Sequence, residues 1–154
     1  MPIQANIMAP DFTLPDETGT PRTLSSFRGK PVVLYFYPKD DTTGCTTEAC
    51  SFRDDYSVYK EAGIVVLGVS PDSAASHTKF KNKYNLPFTL LADDGHKVCE
   101  LYGAWGPKKF MGREYEGVLR TTYLIGPDGM IIKVFANVKP EGHSSQVFEA
   151  LQKS

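Results

Sequence analysis

Two cysteines lie five residues apart, where an apolar run gives way to a turn and then to a helical pattern. Cys45 and Cys50 follow segment 32–37 (VVLYFY) and stand at the start of a region whose apolar residues recur every three or four positions. A cysteine is a good nucleophile only as the thiolate. The first turn of a helix favours that form, because free backbone N–H groups and the positive end of the helix dipole lie near the sulfur. The sequence therefore predicts a reactive thiol at Cys45.

Three residues just before Cys45 have types that suit such a site. Thr42 carries a hydroxyl one turn back, which can donate to a thiolate or to an oxygen bound beside it. Gly44 has no Cβ, so the backbone can come close to a small ligand. Pro38 closes the preceding strand and can shield the site from water. Together they favour a small site where an oxygen atom binds beside the sulfur.

Composition narrows the class of protein. The 154 residues are 41% hydrophobic and 23% charged, as in an ordinary globular chain, and we predict one domain over residues 1–154. The net charge of −1 comes from mixed acids and bases, so neither nucleic acid nor a membrane surface is a predicted partner. Three cysteines do not make a disulfide framework, and neither a signal peptide nor a membrane-spanning run is recognisable. We therefore predict a cytoplasmic location.

The order of patterns predicts an α/β fold, because strand-length apolar runs alternate with helical patterns before a final hairpin and helix. A central mixed sheet flanked by helices, with an N-terminal β-hairpin, accommodates this order. The predicted elements are a hairpin over 10–24, strands over 31–37, 64–69 and 89–92, helices over 43–62, 73–84 and 96–102, an irregular segment over 105–117, strands over 118–125 and 130–135 around a turn at 126–129, and a helix over 144–153.

The motif Pro38-x-x-x-Thr42-x-x-Cys45 resembles the active-site motif of the peroxiredoxins. The strings YFYPKDD at 35–41, GCT at 44–46 and EAC at 48–50 are similar to the PrxQ branch of that family, and further similarity extends over nearly the whole chain. The resemblance implies a thioredoxin-like fold and a thiol peroxidase without a cofactor. It also implies hydrogen peroxide and organic hydroperoxides as substrates, thioredoxin or a similar dithiol as the reductant, and a monomer.

The resemblance also implies roles for individual residues. Cys45 becomes the peroxidatic cysteine, which attacks the peroxide and becomes a sulfenic acid. Arg120 returns in space to Cys45, where a guanidinium stabilises the thiolate and, with Thr42 and Gly44, binds the peroxide. Cys50 becomes the resolving cysteine, which forms a disulfide with Cys45. Thr43 departs from the proline that this branch commonly has at that position, so we expect a tuned rate.

The implied disulfide has a geometric consequence. Five residues along a helix separate Cα atoms by about 8–9 Å, from a rise of about 7.5 Å and a turn of about 140°. A disulfide tolerates less than about 7 Å. The segment from Cys45 to Cys50 is therefore predicted to unwind in each catalytic cycle.

Other interpretations of these residues stay open. Cys45 and Cys50 alone are compatible with buried small side chains or with metal ligands, and His96 with Cys99 completes a Cys₃His set on paper. We expect no metal, because structural zinc sites usually use two closely spaced ligand pairs. We expect Cys99 to be a packed core thiol, although an alternative resolving role stays open. Residues 39–41 are interpreted as a solvated loop.

Two charged residues near the motif are also ambiguous. Arg120 stands among apolar residues of a predicted strand, where a buried arginine requires a partner. Glu48 falls in the first helical turn, where an acid suits the helix dipole whether or not it belongs to the site.

Overall fold

A computed structural model describes residues 2–152 of the chain. Its centre is strand β3 (Val32–Phe36), whose five residues are all buried. Alternate side chains point to opposite faces of a strand, so Val32, Leu34 and Phe36 enter one apolar cluster while Val33 and Tyr35 enter another. Such burial on both faces is typical of the central strand of a covered sheet.

Strand β3 is the middle strand of a five-stranded mixed sheet. Its order is β5-β4-β3-β8-β9, with β4 parallel to β3 and β8 antiparallel to it. Two further antiparallel pairs stand outside this sheet. The strands are β1 (Thr13–Pro15), β2 (Pro21–Thr23), β4 (Val65–Ser70), β5 (Thr89–Ala92), β6 (Trp105–Phe110), β7 (Arg113–Val118), β8 (Thr121–Ile125) and β9 (Ile131–Ala136). The predicted mixed sheet and the N-terminal hairpin, β1 with β2, are confirmed.

The helices are α1 (Thr43–Asp54), α2 (Tyr56–Glu61), α3 (Ala74–Tyr84), α4 (Lys97–Leu101) and α5 (His143–Gln152), with a 3₁₀ helix over Leu24–Phe27. None of the helices within residues 2–152 has the length and apolar character that crossing a membrane requires. The predicted last helix included Lys153, which lies outside the described residues.

The single helix predicted over 43–62 is wrong, because the helix is interrupted at Asp55 (φ −98°, ψ 6°), which separates α1 from α2. Tyr59 is fully buried beyond the break, and its hydroxyl donates to the Ser144 carbonyl of α5 at 2.6 Å. Apolar residues keep helical spacing on both sides of the break, so the pattern gives no sign of it. The break leaves α1 as a separate helix that carries both Cys45 and Cys50.

The segment predicted to be irregular over 105–117 is instead the β6–β7 hairpin. Its turn residues Met111 and Gly112 both have positive φ, at 50° and 78°. Most of β7 is exposed, so the strand lacks the apolar alternation by which strands are recognised in sequence. The strand predicted over 118–125 is shorter in the structure, where β8 begins only at Thr121. Val118 is the last residue of β7, and Arg120 lies in the connection between the two strands.

Candidate active site

Cys45 is the third residue of α1, and it lies beneath the surface with a relative exposure of 1%. The chain reaches it from the end of β3 through the loop 38–42. Thr42 is the N-cap, with the extended backbone (φ −94°, ψ 156°) that a helix start requires. The sulfur therefore lies in the first helical turn, where unpaired backbone N–H groups favour an anion.

The Arg120 guanidinium lies against the sulfur. Its Nη2 donates to Cys45 Sγ at 3.0 Å. The sheet register explains the approach, because Phe36 of β3 is paired with Thr121 of β8, and Arg120 is the next residue back along the chain. Arg120 therefore stands beside the exit of β3 although it is 75 residues from Cys45 in sequence. A guanidinium at this distance stabilises negative charge on the sulfur.

Glu48 holds the same guanidinium from the other side. Its Oε1 accepts from Arg120 Nη1 at 3.0 Å, and the carboxyl is fully buried one turn after Cys45. Burial raises the pKa of Glu48 to about 7, although Arg120 opposes the shift. The other oxygen, Oε2, accepts no hydrogen bond from the described residues. The role that the sequence left open for Glu48 is thus a contact that orients Arg120 toward the sulfur.

Gly44 gives Arg120 its space. A Cβ built at Gly44 lies 2.8 Å from Arg120 Nη2 and 3.4 Å from Pro140 Cγ. Any side chain here must therefore displace the nitrogen that donates to Cys45. The approach of a small ligand to Gly44 stays a prediction, and the group that lies close to this position in the structure is the guanidinium.

Thr42 and Pro38 belong to the loop that leads from β3 to Cys45. Thr42 is exposed, and its hydroxyl donates to the Lys39 carbonyl at 2.8 Å and not to the sulfur. With its proton used in this way, Thr42 Oγ1 is left as an acceptor for the O–H of a ligand. Pro38 is half-buried directly after Tyr37, whose N–H donates to Val69 O at 3.0 Å.

The solvated loop predicted over 39–41 is wrong at Asp40, whereas Lys39 and Asp41 are exposed as expected. Asp40 is 8% exposed and its N–H donates to Asp72 Oδ2 at 2.8 Å. Asp41 accepts from Lys83 Nζ at 2.8 Å and from the Tyr84 hydroxyl at 2.7 Å. The partners come from α3 and from the turn before it, more than thirty residues away, so no local sequence pattern could have shown them.

The three cysteines are separated in the structure. Cys50 is half-buried and shares the unbroken helix α1 with Cys45, so helix geometry puts their Cα atoms about 8–9 Å apart. Cys99 in α4 belongs to the core on the opposite face of the sheet from Cys45. Burial raises the pKa of Cys99, and the Asp93 carboxylate adds to the shift. The Cys₃His set considered from the sequence is therefore not gathered at one place.

Comparison with known proteins gives consistent results. Residues 6–134 match a family model described as the AhpC/TSA family. A putative peroxiredoxin bcp from Coxiella burnetii is 52% identical over 147 residues, which covers 96% of this chain and 97% of that protein. Peroxiredoxin Bcp from Bacillus subtilis is 47% identical over 152 residues, with 99% and 97% covered.

A solved structure resembles the whole fold. It is the bacterioferritin comigratory protein of Xanthomonas campestris, which was studied for its alkyl peroxide reduction activity. The two chains have a TM-score of 0.90 and 35% sequence identity, and the match covers 97% of this chain and 98% of that one.

Proposed function

The chain belongs to the AhpC/TSA family and is a peroxiredoxin of the Bcp/PrxQ branch, and from this premise we propose that Cys45 reduces hydrogen peroxide and alkyl hydroperoxides. The proposal continues with a Cys45–Cys50 disulfide and its reduction by thioredoxin or a similar dithiol. The observation that best supports the reaction of Cys45 with peroxide is the 3.0 Å hydrogen bond from Arg120 to Cys45 Sγ at the start of α1. The activity named for the Xanthomonas protein supports alkyl hydroperoxides as one substrate class.

In the first step the Cys45 thiolate attacks one peroxide oxygen. An S–O bond forms and the O–O bond breaks. The leaving oxygen takes a proton and departs as water or an alcohol, and the sulfur is oxidised to the sulfenic acid. Arg120 stabilises the negative charge before and during the attack, while Thr42 Oγ1 accepts the O–H of the peroxide and orients it.

In the second step the Cys50 thiol attacks the sulfenic sulfur, a disulfide forms and water leaves. The helix must open first, because the Cα separation exceeds what a disulfide tolerates by about 1–2 Å or more. Contacts with the core suggest where the opening stops. Phe52 is fully buried and stacks on Tyr35 with ring centroids 4.9 Å apart, and Ser51 Oγ accepts from the Ser144 N–H of α5 at 3.1 Å. We therefore expect residues 45–50 to unwind while 51–54 stay helical.

An unwound segment offers the disulfide to a dithiol reductant, which returns both thiols. Such reducing power is characteristic of the cytoplasm, where we expect the protein to act. We expect it to act as a monomer, as the resemblance to the PrxQ branch implies.

The experiment replaces each cysteine in turn by serine and follows hydrogen peroxide and an organic hydroperoxide with thioredoxin recycling. Cys45→Ser should be inactive. Cys50→Ser should form one equivalent of sulfenic acid and then stop unless a small thiol is added. Cys99→Ser, a buried cysteine outside the site, is the matched control and should retain turnover. Turnover by Cys45→Ser would refute the proposal. Normal turnover of Cys50→Ser with thioredoxin would refute the assignment of the Cys45–Cys50 disulfide.

Amide hydrogen exchange tests the opening of the helix. The oxidised protein should lose protection over residues 45–50 and keep it over 51–54. Unchanged protection over 45–50 in a fully oxidised sample contradicts the unwinding step.

A further inference from the structure

The loop 38–42 that carries Thr42 is fastened by a buried polar cluster that the reaction itself does not use. At its centre is the Asp40 carboxylate, whose side chain is 4% exposed. Asp40 Oδ1 accepts from the Tyr37 hydroxyl at 2.6 Å, and Oδ2 accepts from Ser76 Oγ at 2.8 Å. His77 Nδ1 lies 2.7 Å from the same Oδ2. A loop residue two positions from Thr42 is thereby tied to Tyr37, which directly follows β3, and to α3.

The cluster extends into the sheet. The backbone N–H of Asp40 donates to Asp72 Oδ2, and the same oxygen accepts from Ser70 Oγ at the end of β4 at 2.7 Å. His77 Nε2 lies 2.8 Å from the Leu91 carbonyl of β5. The loop is thus held by groups from β4, β5 and α3 together.

The two ring nitrogens of His77 both face acceptors. A carbonyl oxygen such as Leu91 O can only accept, so Nε2 carries a proton. The Asp40 carboxylate also only accepts, so Nδ1 carries a second one, and the ring is an imidazolium paired with a carboxylate. His77 is fully buried, and although burial opposes the charge, the hydrogen bond and the charge of Asp40 raise the pKa of His77. Asp72 also favours the charged ring, and Tyr37 is the remaining titratable neighbour.

We propose that His77 is a positioning residue of the peroxidase, because its ion pair with Asp40 holds the loop 38–42 so that Thr42 is placed to bind the peroxide beside Cys45. The proposal rests on the proposed function. It assigns to His77 no contact with the reacting atoms.

The effect of this pair should be selective within the site. Cys45, Glu48 and Arg120 take their positions from α1 and from the register of β8 on β3. Thr42 takes its position from the loop, and its hydroxyl bonds within that loop to Lys39 O. Loosening the loop should therefore impair the binding and orientation of peroxide and leave the reactivity of the thiolate itself largely intact.

The test compares two second-order rate constants of Cys45 in the full-length, reduced protein. One is for hydrogen peroxide, which uses Thr42, and the other is for iodoacetamide, which reports thiolate reactivity. His77→Leu should lower the peroxide constant at least about tenfold, as expected for a misplaced orienting group, while the iodoacetamide constant changes less than about threefold. Asp40→Ala should behave alike, and the double variant should be no worse than either single one, because the two residues act as one unit.

Two further variants separate positioning from general stability. Asp40→Asn introduces an amide N–H that can donate to a neutral His77 Nδ1, so the ratio of the two rate constants should be close to that of the unmutated protein. Ser73→Ala removes the N-cap of the same helix, where Ser73 Oγ accepts from the Ser76 N–H at 3.2 Å, without touching Asp40. It should reduce stability by about 1 kcal/mol and leave the ratio unchanged.

A measurement on the unmutated protein covers the case in which His77→Leu fails to fold. The ¹⁵N chemical shifts of the His77 ring should show two protonated nitrogens at pH 7. A neutral ring at that pH, or a folded His77→Leu variant with an unchanged ratio, overturns the proposal. Failure of the proposed function is distinct, because it appears as absent peroxide reactivity in the unmutated protein.

Discussion

Gly44→Ala should slow peroxide reduction without weakening the fold. The added Cβ lies 2.8 Å from Arg120 Nη2, which is shorter than a carbon–nitrogen contact allows. Glu48 holds the guanidinium from the far side at 3.0 Å, so the clash must be relieved by moving Nη2 away from Cys45 Sγ. A displacement of about 0.6 Å restores ordinary van der Waals separation.

The size of the effect follows from the charge pair. At an effective dielectric constant of about 20, the attraction between unit charges falls from about 5.5 kcal/mol at 3.0 Å to about 4.6 kcal/mol at 3.6 Å. Part of a charge-assisted hydrogen bond is lost as well, so the total is about 2 kcal/mol. If the transition state bears the whole loss, the rate constant for peroxide falls about 30-fold.

The free energy of unfolding of Gly44→Ala should rise slightly or stay unchanged, although the rate constant for peroxide falls. Gly44 is the second residue of α1 and has no positive φ, so alanine should gain at most part of the advantage of about 1 kcal/mol that it has over glycine in a helix interior. The assay pairs the second-order rate constant for hydrogen peroxide with urea unfolding. Thr43→Ala is the matched control, since it changes the adjacent, exposed position of the same turn and should lower the rate far less than Gly44→Ala does. A Gly44→Ala variant that reacts within twofold of the unmutated protein refutes the reasoning, and so does a slow variant that has also lost stability.

Three further changes test other features of the chain. Because the pKa of Glu48 is raised from 4.5 to about 7, the folded state retains a proton that the unfolded state loses, and the free energy of unfolding should fall by up to about 3 kcal/mol between those pH values. Glu48→Gln should remove this pH dependence of the free energy of unfolding, measured by urea titration at several pH values. An equal pH dependence in the variant and the unmutated protein contradicts the assignment to Glu48. Thr43→Pro at the first position of α1 should raise the free energy of unfolding by about 0.4–1 kcal/mol, and a lower melting temperature argues against an unstrained N1 site. Although burial opposes it, hydrogen bonds from Thr18 and Arg22 lower the pKa of Asp16 to about 2. Asp16→Asn should therefore cost about 2 kcal/mol at pH 7 and progressively less as the pH falls from about 4 to 2, and a pH-independent cost excludes the charge as its cause.

Features with a local or periodic signal could be predicted from the sequence. The β-branched and aromatic run at 32–37 indicated the central strand, and the change to helical spacing indicated a helix start near Cys45. An arginine among apolar residues implied that Arg120 needs a partner, and the structure supplies Glu48 and the Cys45 sulfur.

Features that depend on distant partners could not be predicted. Asp40 and His77 are 37 positions apart and neither belongs to a repeating pattern, so their ion pair exists only once the fold brings α3 to the loop. The hydroxyl of Thr42 donates to a carbonyl three residues back, a choice between several local acceptors that the residue type does not determine. The β6–β7 hairpin escaped recognition because residues 113–116 of β7 are exposed on both faces, which removes the alternation of a half-buried strand.

The separation of Cys99 from Cys45 by the sheet gives each molecule an internal standard for its own oxidation state. A thiol that is fully buried in the opposite core is kept from peroxide, so it stays available for labelling after the chain is denatured. A mass tag added to every free thiol should then mark the reduced chain three times, the sulfenic acid twice and the disulfide once. Each stage of the proposed cycle thus has its own mass, and a single spectrum of a quenched reaction gives the population of all three.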